Sequence, residues 1–282
     1  MTKFIDFLPL FFESIKAKNT NFLVECYLNE RYIDLNFTKD EALNSLKVIY
    51  SDLTNTDPNN IVNDLSNEFL SVGVIFQYIK DTSSYNYTWK KAGILKNEYD
   101  STSNLITLYI TDIFIKNFLN KNFDILAEAI TAAGCHEDTH RQQWELSHGK
   151  AKGTSTNLLN NPTQVNFKTY LENPTEIDAH AREVAIYLYN KKLTANQIIN
   201  LLNTNNKDLM EISSYKKYWD TFGIMLNYPD ILDKDGINRL KTWKRFLKRI
   251  IAYLQTTIKY KYSTLIPQKA LQQIDKRIKD SE

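Results

Sequence analysis

Apolar residues recur at helical spacing at Phe4, Phe7, Leu8, Phe11, Phe12 and Ile15, which predicts an amphipathic helix over 4–16. The next stretch, 21–37, is mixed and ends in the alternation Tyr32-Ile33-Asp34-Leu35-Asn36-Phe37, a pattern suited to a strand. Helical spacing returns over 38–53, where Thr38-Lys39-Asp40-Glu41 has the form of a capping box, and again from Pro58 to about Leu70. The pattern then changes. Residues 72–79 are rich in β-formers, 85–96 are aromatic and alternating, and 97–104 are polar and turn-like. Leu105 to Thr111 is the clearest strand in the chain.

A long helix is expected over 123–145, with Asp124 in its first turn. Residues 147–164 are polar and contain Gly149, Gly153 and Pro162, a loop long enough to rim a cleft. Asn173-Pro174-Thr175-Glu176 then opens a second strong helix: Asn173 suits the N-cap, Pro174 the first helical position, and Ile177, Ala181, Val184, Ala185 and Leu188 its apolar stripe. Beyond Tyr189 the pattern is mainly helical, with breaks near 203–206, 227–229 and 233–236, and Pro267 ahead of a last short helix. The fold class this implies is α+β and predominantly helical, with a small sheet. Three regions are expected: a mainly helical 1–71, a central 72–190, and a helical 191–282.

Chemistry enters with His136-Glu137-Asp138-Thr139-His140, an HExxH motif inside the expected 123–145 helix. On a helix this spacing sets both imidazoles on one face, about one turn apart. Two neutral imidazoles can hold Zn²⁺, and the intervening glutamate is then placed to act as general base toward a water. The strand 105–111 ends shortly before this helix and would offer an edge on which an extended peptide could pair.

A catalytic zinc usually takes three protein ligands. The chain has four histidines, at 136, 140, 148 and 180, so the choice of a third ligand is narrow. The three-histidine pattern HExxHxxGxxH would need a ligand at 146, which is Leu146, so it is absent. His148-Gly149 is similar to the His-Gly pair that follows HExxH in DNA–protein crosslink proteases of the SprT type, at a shorter gap. Glu176, on the second helix with Asp178 and His180, is the stronger candidate.

HExxH with Gln143, followed by Tyr170-Leu171-Glu172-Asn173-Pro174-Thr175-Glu176-Ile177-Asp178-Ala179, resembles the gluzincins. More narrowly, it resembles a group of small zinc peptidases of phage and other mobile-element genomes that share HExxHxxQ and a downstream Pro-x-Glu-Ile-x-Ala helix. The resemblance covers about 105–188. It implies a zincin-like core over 72–190, one Zn²⁺ per chain held by His136, His140 and Glu176, and Glu137 as general base. The chain departs from the pattern at His180, where a non-ligating residue is usual. Three readings of His180 stand: a donor to a ligand or to a transition-state oxyanion, hence a catalytic residue; a ligand; or an ordinary helix residue.

Plainer readings accompany the others. Glu176 at N3 could be a capping-box glutamate. Asp178 is expected at the surface or behind a ligand, Cys135 in helix packing, and Trp144 in the core. With 17 tyrosines in the chain, a structural role is the default for Tyr170.

Composition narrows the rest. Cys26 and Cys135 are too few for a disulfide framework. Asp6 interrupts the first apolar run, so 4–16 is read as a folded helix and not a signal peptide, and a cytoplasmic or virion location is expected. No uninterrupted apolar stretch approaches ~18 residues, so no membrane span is expected. The net charge of +2 is uneven: Arg239 to Glu282 holds twelve Lys and Arg against three acidic residues, a balance of +9 that leaves −7 for the first 238. Such an end either forms solvated helix faces or meets nucleic acid or an acidic partner, with Trp243, Tyr253, Tyr260 and Tyr262 available for stacking. The function expected is zinc-dependent hydrolysis of a protein or peptide substrate. The alternative is a non-catalytic virion or nucleic-acid-associated protein with a structural or degenerate zinc site.

Overall fold

The computed structural model describes residues 38–80, 88–146, 164–202, 207–256 and 265–282. The expected helix at 4–16, the strand within 21–37, the break at 203–206 and the segment with His148 lie outside the described residues.

The first described helix, α1 (Lys39–Ser51), starts on the expected capping box: the Thr38 hydroxyl accepts from the Glu41 N–H, and the Glu41 carboxylate accepts from the Thr38 N–H. Helix α2 (Pro58–Phe69) has Pro58 at its first position and Asp57 as its cap. Three strands follow: β1 (Val74–Tyr78), β2 (Ile94–Asp100) and β3 (Leu105–Ile110). Their spatial order is β1-β3-β2, with β1 parallel and β2 antiparallel to β3.

Two expectations need correction here. The strand before the motif helix is not an edge; β3 is the middle strand, and the edge nearer the motif helix belongs to β2. Residues 97–100 are not a turn but part of β2, and the turn is confined to 101–104, where the Asp100 carboxylate accepts from the Thr102 and Ser103 N–H groups. A polar sequence suits this strand because its residues from Lys96 onward are half-buried or exposed on an edge. Gly93 is required just before β2. Its φ is +78°, and a Cβ there would lie 2.3 Å from the Phe114 backbone nitrogen.

Helix α3 (Asp112–Leu119) leads into the motif helix α4 (Phe123–Leu146). Then come α5 (Gln164–Glu172), α6 (Pro174–Asn190), α7 (Ala195–Leu202), α8 (Lys207–Met210), α9 (Ser213–Thr221) and a 3₁₀ turn (Gly223–Asn227), followed by α10 (Lys234–Thr256) and α11 (Leu265–Lys279). Residues 233–236 are a helix start, not a break: Asp233 accepts from the Gly236 N–H at 2.8 Å and opens α10. Pro267 falls within the first turn of α11 rather than before it, where the missing N–H costs nothing.

The architecture is therefore mostly helical with one small sheet. Helix α4 packs most extensively against α6, α6 also packs against α10, and α1 covers α4. One apolar cluster runs from Ala42 through Ile110, Ile130 and Val184 to Ile278, joining residues of all three sequence regions. Among the described residues, no helix is long and apolar enough to cross a membrane.

In the basic C-terminal part, Trp243 and Tyr253 are buried and take no part in a stacking surface. Arg239 pairs with Asp235, Lys241 with Glu282 and Lys244 with Asp275. Tyr260 and Tyr262 lie outside the described residues.

Candidate metal centre

Helix α4 is alanine-rich and apolar through Leu126, Ala127, Ile130 and Ala133, which fastens its first half into the core. Its next turn carries polar and charged residues that point in different directions and are buried too, His136 at 5% exposed, Glu137 at 6% and Asp138 at 4%, so the helix is enclosed on several sides. A solvated helix face would not bury them. Opposite lies α6, whose start is set as expected: the Asn173 side chain accepts from the Thr175 N–H and Pro174 takes the first position.

Each helix presents residues at i, i+4 and i+7. From α4 these are His136, His140 and Gln143, and from α6 they are Glu176, His180 and Glu183. Among the described residues, His136, Glu176 and His180 each offer an atom within 4.8 Å of the other two, and the expected ligand His140 stands outside that group. His140 Nε2 lies 3.6 Å from Glu176 Oε2, and His180 Nε2 lies 3.9 Å from the same oxygen. Glu176 is turned across the helix interface and is 2% exposed, which a solvent-facing capping glutamate would not be.

The outer nitrogens of the three rings face polar groups, those of His140 and His180 in hydrogen bonds and that of His136 at ion-pair distance only. Gln143 Oε1 is 3.0 Å from His140 Nδ1, and Glu183 Oε2 is 3.3 Å from His136 Nδ1. Ser214, from α9, stands 2.8 Å from His180 Nδ1 and donates to Glu183 Oε2 at 2.6 Å. On the sheet side, Asn97 of β2 donates to Glu137 Oε1 at 2.7 Å, and that oxygen is 3.8 Å from His136 Nε2.

Three buried carboxylates thus surround three imidazoles. Burial would depress the His140 ring, but the Glu176 carboxylate, with Glu137 and the Gln143 hydrogen bond, outweighs it and raises it to about 9. Burial and then the neighbouring His136 push His180 down to about 4, so this ring is neutral at pH 7. Burial alone would raise Glu176 and Glu183, yet the adjacent histidines hold both well below the usual carboxylate range. Such a field favours a cation at the centre, and imidazole with carboxylate is a donor set suited to zinc. His180 Nε2 is buried and makes no hydrogen bond among the described residues, which fits an absent ligand.

Of the other residues, Cys135 settles as expected, Asp178 takes the second of its two expected places, and Trp144 departs from expectation. Asp178 is buried and not at the surface: it accepts from the Tyr253 hydroxyl at 2.8 Å and from Gln143 Nε2 at 3.4 Å. Cys135 is a buried free thiol in helix packing, pushed up to about 12 by burial. Trp144 is half-buried rather than in the core. Tyr170 reaches the site, its ring 6.2 Å from that of His180, and burial followed by Glu176 raises its phenol well above the ordinary range.

Glu183, Ser214 and Asn97 were not singled out from sequence. Glu183 had a signal, seven residues past Glu176 on the same helical face. Asn97 and Ser214 come from a strand and a helix remote in sequence, and nothing local marks them. Behind the motif, Arg182 donates to Asp138 Oδ2 at 2.9 Å and to the Thr139 hydroxyl at 3.2 Å, with Arg141 also on Asp138. Comparison with protein-family models, with curated proteins and with solved structures finds no match.

Proposed function

We propose that the chain is a zinc-dependent peptidase with a zincin-like core, in which His136, His140 and Glu176 hold the metal and Glu137 is the general base. The observation that supports this best is the convergence of both HExxH histidines, the motif glutamate and Glu176 in one buried interface between α4 and α6. When bound, zinc would supply Lewis acidity, lowering the pKa of water and polarising a carbonyl. The protein side of the mechanism then follows from the geometry. Asn97 fixes one oxygen of Glu137, leaving the other to take a proton from water and return it to the departing amine. Gln143 orients the His140 ring through Nδ1, and the Glu183 carboxylate stands 3.3 Å from His136 Nδ1. The Tyr170 phenol stays protonated and donates its O–H to the Glu176 carboxylate, helping to orient that proposed ligand. Strand β2 carries Asn97 and is an edge, so an extended peptide can add to the sheet beside Glu137.

Glu137→Gln removes the base but no proposed ligand. Zinc content of about one per chain is expected in both proteins, with casein or peptide-library cleavage lost in the variant by at least about 100-fold. Undiminished cleavage by Glu137→Gln would overturn the assignment.

A further inference from the structure

We propose that Lys217 anchors a carboxylate of the substrate peptide, either its C-terminal carboxylate or an Asp or Glu side chain near the scissile bond. The inference rests on the reading of this cluster as a peptidase centre and adds a substrate class to it: peptides with an anionic group on one side of the bond that is cut.

Position in the fold makes the case. Lys217 lies on α9 three residues past Ser214, so the two share a helix face. That face is turned to the metal helices. Ser214 is 2.8 Å from His180 Nδ1 and donates to Glu183, and the ring of the next residue, Tyr218, is 5.5 Å from that of His180. Lys216 is exposed and paired with Asp220. Lys217, by contrast, is half-buried and makes neither an ion pair nor a hydrogen bond among the described residues. The other cations beside the motif are committed, Arg182 and Arg141 both to Asp138.

An ammonium drawn partly out of water with no carboxylate against it is costly, and such groups cluster at functional sites. Burial lowers the Lys217 ammonium, while Glu183 and then Glu176 act on it across the intervening space and favour its charged form.

The side of the centre decides the role. Glu137 is held on the sheet side by Asn97 of β2, whereas Lys217 comes from α9, which packs on α6. A peptide beside β2 that crosses the centre therefore reaches Lys217 with residues beyond the scissile bond. An ammonium there repels a free N-terminus and attracts a carboxylate.

The test immobilises full-length, zinc-loaded protein carrying Glu137→Gln and offers it N-acetylated hexapeptide libraries. One library has free C-terminal acids and no Asp or Glu, one has C-terminal amides and no Asp or Glu, and one has amides with Asp and Glu included. Retention of an anionic library over the neutral amides by about 10–100-fold is expected, falling to parity in Lys217→Met and restored in Lys217→Arg. The library retained identifies the source of the carboxylate. Lys217→Gln replaces Lys217→Met if that variant does not fold. Equal retention of all three libraries overturns the anchor and leaves the peptidase reading intact. An anionic preference that persists in Lys217→Met puts the carboxylate on the zinc instead and also overturns it. Protein that takes up no zinc and retains no library overturns both.

Discussion

Asp138 shows how much a single residue of the motif carries besides the metal chemistry. It occupies a position that HExxH leaves open, yet it is 4% exposed and accepts from Arg182, Arg141 and Gln142. Arg182 lies on α6, so this ion pair crosses the same interface as the metal cluster and holds the two helices in register. Removing one partner of a buried pair leaves an uncompensated charge, and that costs more than the pair itself contributes. Asp138→Ala is therefore expected to destabilise the protein by about 3–5 kcal/mol, measured by urea denaturation with zinc absent. Replacing both partners, Asp138→Leu with Arg182→Met, should recover most of that loss. A double variant as unstable as the sum of the singles would show that the pair is not what sets the register.

At the scale of elements, helix starts were legible and strand neighbours were not. Thr38 with Glu41, Asp57 before Pro58, and Asn173 before Pro174 satisfy the first N–H groups of their helices with local side chains, so sequence alone marks those starts. The placing of His136 and His140 on one buried helix face follows from their spacing in the same way. Which strand is the edge depends on pairing across tens of residues. The alternation in Leu105–Ile110 reveals that one face is buried but says nothing of a neighbour on each side. Ser214 is hidden for the same reason, since its meaning comes from Glu183 and His180, more than thirty residues earlier. Gly93 is the residue on which the edge strand turns. Gly93→Ala must strain a left-handed backbone and drive a methyl into the backbone of α3. The φ alone should cost about 1–3 kcal/mol, and the overlap adds to it. A thermal melt within 1 °C of wild type would contradict this account of the turn.

For the whole molecule, the basic C-terminal part is packing surface for the metal helices as well as a charged exterior. Its cations sit on α10 and α11 while Trp243, Phe246, Ile250 and Tyr253 of α10 are buried in the shared core. Tyr253 also begins a chain of contacts that ends at the metal site. Its hydroxyl donates to Asp178 at 2.8 Å, Asp178 accepts from Gln143 at 3.4 Å, and Gln143 stands 3.0 Å from His140 Nδ1. Helix α10 thereby helps set the orientation of a proposed ligand two side chains away. Tyr253→Phe keeps the ring in the core and removes only the hydroxyl, so its loss should reach zinc through Asp178 and Gln143. Zinc affinity is expected to fall by about threefold to tenfold, less than for a residue touching a ligand directly. A control of similar stability cost separates this route from general loosening: Ile250→Val on the same helix, at about 0.5–1.5 kcal/mol, should leave zinc affinity unchanged. If both variants weaken zinc binding equally, the hydrogen-bonded route is dispensable and the two halves of the molecule are coupled only through their common core.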